Sequence, residues 1–105
     1  MAGPLVARIR VGAELLDTQR PGWEHELALD RLDLSDCQEC VLGQLYGSYS
    51  SGKDALDLAY GYKHGFTIEG VHYSRVAKWS SLTLAWQRFV ARRLIKKLVE
   101  RFVKP

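Results

Sequence analysis

The sequence predicts a mainly α domain of three to four helices, with room for one minor short strand pairing as an α+β variant. Three observations carry this. Residues 5–19 and 82–103 place apolar residues at the spacing of a helical face. The one alternating stretch, around residues 27–34, is too short to commit to a sheet. The chain has 105 residues, 47% hydrophobic and 26% charged, which suits a single modest core.

The first helix is expected over Leu5 to Gln19, with Leu5, Ile9, Ala13 and Leu16 on one face. Pro21-Gly22 stops it. Trp23 follows as a core anchor. From Glu24 to Leu34 the pattern fits a short strand or a single helical turn. A second helix is expected to start at Ser35 or Asp36, where Ser35 with Gln38, or Asp36 with Glu39, forms a capping-box pattern. Cys37, Cys40, Val41 and Leu45 would line its face. Gly47 to Gly52 reads as a loop by composition. Asp54 to Tyr60 suits a short helix, and Gly61 to Gly70 a loop with a brief extended piece at Phe66-Thr67-Ile68. The last helix starts as early as Ser74 and includes Leu82 to Val103, with Trp79, Leu82, Trp86 and Phe89 at helical spacing.

A set of short strings recurs along this frame: Ala13-Glu14-Leu15-Leu16-Asp17, Pro21-Gly22-Trp23, Leu32-Asp33-Leu34-Ser35, Cys37 to Gly47, His64-Gly65-Phe66 and Leu82-Thr83-Leu84-Ala85-Trp86. Together they resemble small uncharacterised proteins of actinobacteria and their phages. The likeness covers residues 5–90 and is densest over 32–49. It implies an origin and brings no activity with it. The segment after Val90 lies outside the shared pattern.

Size and composition bear on function. No apolar run approaches the roughly 20 residues that span a bilayer. Met1 to Arg10 lacks the basic start, long apolar stretch and small-residue cleavage site of a signal peptide. A cytoplasmic location is therefore expected, with both cysteines reduced. A chain this short leaves little material for a deep catalytic cleft, so a non-enzymatic protein without a cofactor or small-molecule substrate is expected.

Several motifs nevertheless invite chemistry. Gly47 to Lys53 fits the first seven positions of the phosphate-cradling pattern G-x-x-x-x-G-K, but Asp54 stands where a magnesium-binding hydroxyl is required. The preceding residues read as helix instead of the strand that motif needs. Cys37 and Cys40, with His25, His64 or His72, supply enough ligands for zinc, in spacings that match no finger or ribbon. The same pair suits thiol exchange at a helix N-terminus. The plain reading is two small core residues. His64 lacks an orienting acid or a nucleophile. Tyr46, Tyr49, Tyr60, Tyr62 and Tyr73 either cover the core or form an interface.

Charge is distributed unevenly. Net charge is +3, yet residues 91–105 hold six cations against Glu100, a local +5 that leaves the rest at −2. The chain thus divides into a body, residues 1–90, and a basic amphipathic extension of the same domain, residues 91–105. Ala91, Leu94, Ile95, Leu98, Val99, Phe102 and Val103 fall on one side of the extension and its charges on the other. At about 100° per residue, that apolar side points away from the stripe of Leu82, Trp86 and Phe89. Either the helix breaks near Val90 and folds back, or its end projects.

Four uses follow. The extension caps its own core, self-associates, docks on a protein partner through Leu94, Leu98 and Phe102, or meets a polyanion. In the last case the surface is nucleic acid held by Arg92, Arg93, Lys96, Lys97 and Arg101, or an anionic membrane. A small interaction or regulatory protein, phage-encoded and acting on a host protein or on itself, is the expectation. Nucleic-acid binding is the alternative.

Overall fold

The computed structural model describes residues 4–68 and 79–103. Among these residues four α-helices form the frame: α1 (Pro4–Gln19), α2 (Val41–Tyr46), α3 (Tyr49–Ala55) and α4 (Trp79–Val103). Three 3-10 turns, Trp23–Glu26, Leu29–Arg31 and Tyr62–His64, shape the connections. The fold is mainly helical, as expected, and no strand forms among the described residues.

Helix α1 opens on Pro4, whose missing N–H would have had no partner in a first turn. Ile9, Ala13 and Leu16 are fully buried along one side, and Leu5 packs at the edge. Gly22, at φ 83°, takes the left-handed conformation that turns the chain into the Trp23 turn. Gly12 has a different role. A side chain there would run into the His64 carbonyl, so only glycine lets the 62–64 turn sit against α1.

Three aromatic rings fill the centre. Phe66 stacks on Trp86 with centroids 5.6 Å apart and planes within 10°. Trp23 meets Trp86 edge-on at 6.1 Å. Neither buried indole leaves its N–H unpaired: Trp86 Nε1 donates to the Gly65 carbonyl at 2.6 Å and Trp23 Nε1 to Asp17 at 2.9 Å. Leu82 and Val90 flank Trp86 on the inner side of α4 and are equally buried.

The alternating stretch around residues 27–34 is not a strand. It holds the Leu29–Arg31 turn, and side chains replace a neighbouring strand as partners for its backbone. Gln44 accepts from the Ala28 N–H at 2.7 Å and donates to the Ala28 carbonyl at 3.1 Å. Thr83 Oγ1 accepts from the Leu34 N–H, and Gln87 donates to the Leu29 carbonyl. Leu32 and Leu34 are buried, so the alternation marks burial in an irregular chain.

Two expected boundaries also move. The Ser35 and Asp36 capping signals act in turns instead of starting a helix. Asp36 Oδ1 accepts from the Gln38 and Glu39 N–H groups, and the helix waits until Val41, capped by Cys40. The glycine- and serine-rich stretch is helical from Tyr49, because Ser48 Oγ accepts from the Ser51 N–H at 3.0 Å and starts α3. The helix expected over residues 54–60 ends at Ala55, where Asp57 enters the left-handed region at φ 55°. The expected extended piece at residues 66–68 forms no strand. A start of the last helix near Ser74 lies outside the described residues, as do His72, Tyr73 and Lys104.

Trp86→Phe should destabilise the fold by about 2–3 kcal/mol, since it shrinks a filled core position and leaves the Gly65 carbonyl unpaired. Urea unfolding followed by circular dichroism measures this.

Candidate functional site

Helix α4 does not break at Val90. It runs unbroken from Trp79 to Val103, about 37 Å at 1.5 Å per residue. Of the two courses the sequence left open, a break near Val90 that folds the end back or a helix whose end projects, the chain takes the second. The apolar side of the last turns stays outside.

The reason lies on the inner side. Leu82, Trp86 and Val90 form its buried stripe, and the same stripe continues through Arg93 and Lys97. Past Val90 the stripe meets a carboxylate in place of apolar side chains. Glu24 is only 1% exposed and receives Lys97 Nζ at 2.9 Å and Arg93 Nη1 at 3.4 Å. Arg93 Nη2 binds Asp17 at 2.7 Å, and Asp17 also accepts the Trp23 indole N–H. The Arg93 guanidinium lies 5.7 Å from the ring centroids of both Trp23 and Phe89. Burial acts to raise the Asp17 pKa, but hydrogen bonds from Arg93 and Trp23 and the nearby positive charges outweigh it and hold the carboxyl below its usual value. The Asp17 hydrogen bond in turn raises the Arg93 pKa against the opposing effect of burial.

The outer side of α4 carries the opposite character. Ile95 is 61% exposed, Leu98 52%, Val99 51% and Phe102 82%. With Leu84 and Ala91 they follow the alternating three- and four-residue spacing of an apolar seam, interrupted by Arg88. Leu94, expected in the docking set, sits at the margin and packs partly against the core. Of the five expected nucleic-acid contacts, Arg93 and Lys97 are held by Asp17 and Glu24, whereas Arg92, Lys96 and Arg101 are exposed. Glu24 and Asp17 were missed by sequence reasoning. Their only signal is adjacency to Trp23 and to the Pro-Gly break.

Family models, curated proteins and solved structures give no match to this chain.

The other motifs resolve into structure. Cys40 is buried, but Cys37 is exposed, which corrects the pairing of the two as core residues. Cys40 Sγ accepts from the Gly43 N–H at 3.2 Å, and burial pushes its thiol pKa up, which disfavours the reactive thiolate. Among the described residues no group of three or more His, Cys, Asp or Glu side chains gathers around a metal position. His64 stacks on Phe66, and burial followed by the charge of Lys63 lowers its pKa. Within Gly47 to Lys53 the N–H groups of Gly47, Tyr49, Ser51 and Gly52 are taken by Gly43, Cys37 and Ser48, so the stretch is a helix start and not an open ring of donors around a phosphate. Tyr46, Tyr49 and Tyr62 are half-buried, and Tyr60 is exposed.

Asp17 should make folding sensitive to acid. A carboxyl whose pKa is lower folded than unfolded adds stability above the unfolded value, here 3.8, and loses it as pH falls through the folded value. Asp17→Asn should be less stable than the parent near neutral pH. The gap should narrow as pH drops below the ordinary carboxyl range, read from urea midpoints across a pH series.

Proposed function

We propose that this chain is a binding protein that docks on an acidic protein partner through the outer side of the last three turns of α4. One observation carries the reading: Ile95, Leu98, Val99 and Phe102 are half or more exposed on a helix whose inner side is pinned by Glu24. Contiguous exposed apolar side chains rimmed by charge mark interaction surfaces in small soluble folds. Fixing the helix beforehand lowers the ordering cost of association. Leu94, Leu98 and Arg101 also border a shallow depression with His25, a seat for a partner's apolar side chain.

Charge selects the class of partner. Residues 91–105 carry +5, of which Arg93 and Lys97 are paired with Asp17 and Glu24, so a second copy would set +3 against +3 across the seam. An acidic surface with an apolar groove complements both features, and a helix in a groove is a common mode of recognition. Action in a bacterial cytoplasm, as a phage-derived product on a host protein, is the setting that the resemblance over residues 5–90 suggests.

Leu98→Asp tests this, because the side chain is exposed and its loss spares the core. A synthetic helix with leucines at seam positions and glutamates beside them should bind the parent protein by titration calorimetry. Leu98→Asp should weaken it by about tenfold or more. Equal binding by both proteins would end the proposal, and so would a dimer in sedimentation equilibrium that Leu98→Asp dissociates.

A further inference from the structure

A groove of about 480 Å³ runs between α1 and α4, beside the apolar seam, which it meets at Arg88. Arg10 stands on its α1 wall, and Arg88, Arg92, Arg93 and Lys96 on its α4 wall. Val6, Ile9, Ala85 and Phe89 contribute apolar lining. Among the described residues no carboxylate lines it. We propose that this groove binds the backbone of a single-stranded nucleic acid.

Among the described residues, four of the five cations that line the groove are left without a carboxylate, the fifth, Arg93, being held by Asp17 and Glu24. Arg20, Arg31, Arg93 and Lys97 each meet a carboxylate. Arg10, Arg88, Arg92 and Lys96 form no ion pair among the described residues. Arg88, Arg92 and Lys96 also stand at successive four-residue intervals, a spacing at which like charges repel along a helix. A bound polyanion would relieve that repulsion.

The shape narrows the class of anion. Cations on both walls favour a narrow strand that can lie between them, whereas a flat bilayer would rest on the two ridges and not enter the groove. Four-residue steps place successive cations about 6 Å apart along the axis, a repeat on the scale of consecutive backbone phosphates. Three of the four are arginines, whose forked guanidinium matches phosphate oxygens. Phe89, half-buried in the lining with the Arg93 guanidinium 5.7 Å from its ring centroid, adds an aromatic–guanidinium pair of the kind on which bases stack. The regular spacing of the cations and the aromatic ring among them together favour a nucleic-acid strand over an acidic peptide.

The test is fluorescence anisotropy with labelled oligothymidylate at low salt. The full chain should bind, with affinity falling as salt rises at a log–log slope of about −3 for four phosphate contacts. The double variant Arg88→Gln/Arg92→Gln should weaken binding about tenfold or more and flatten the slope by about 0.7 per lost contact. Phe102→Ser strips the seam without altering charge and should bind like the parent, as should Arg31→Gln, which removes a cation outside the groove. Circular dichroism should show the same helix content for every variant. The proposal fails if the parent does not bind, if the double variant keeps both affinity and slope, or if Phe102→Ser weakens binding equally. It also fails if polyglutamate displaces the oligonucleotide as well as unlabelled oligothymidylate does, or if phosphatidylglycerol vesicles are bound in preference to it.

Discussion

Glu24 is a carboxylate with almost no access to water, set beside the central tryptophans at the point where the apolar stripe of α4 runs out. Leaving such a charge alone in the interior would cost several kcal/mol, so it requires cations close by. Lys97 and Arg93 provide them, and Arg93 is aimed by Asp17, which is itself fixed by the Trp23 indole. A buried ion cluster of this kind is weak evidence of added stability, since desolvation offsets much of the attraction. Its consequence is positional. It fixes which side of the last turns of α4 faces the body, and therefore which side faces out.

That constraint gives one helix three uses. The inner stripe starts as core at Leu82, Trp86 and Val90 and finishes as ion pairs at Arg93 and Lys97. The outer side becomes an apolar seam ending in Phe102. The remaining side, with Arg88, Arg92 and Lys96, becomes one wall of a basic groove. Had the helix broken at Val90, its apolar side would have turned inward, and neither surface would exist in this form. The proposed partner site and the proposed nucleic-acid groove both rest on the continuity of the helix, yet they use different residues.

Much of this was legible in the sequence. The α1 face, the Trp23 anchor and the phase reversal along α4 follow from period and from Pro-Gly punctuation, which are local signals. What failed were places where a side chain from elsewhere decides the backbone. Around residues 27–34, Gln44, Thr83 and Gln87 supply partners that alternation alone assigns to a strand. One miss was local: Ser48 turns a loop-like composition into a helix by capping it. At the site, the basic residues were visible as a run, but their division was not. Separating Arg93 and Lys97 from Arg92 and Lys96 requires knowing that Glu24 is buried beneath the helix, and pairing Arg10 with Arg88 requires knowing that α1 and α4 lie side by side.

Amide hydrogen exchange along α4, compared between the parent chain and Glu24→Gln, tests the anchoring role of this cluster most directly. In the parent, protection should continue without a gap from Trp86 through Val90 to Lys97. In the variant it should fall from Arg93 onward, while Leu82 and Trp86 keep theirs. Protection that stops at Val90 in the parent, or a variant whose profile is unchanged beyond Arg93, would contradict the view that the buried Glu24 holds the projecting end of the helix in place.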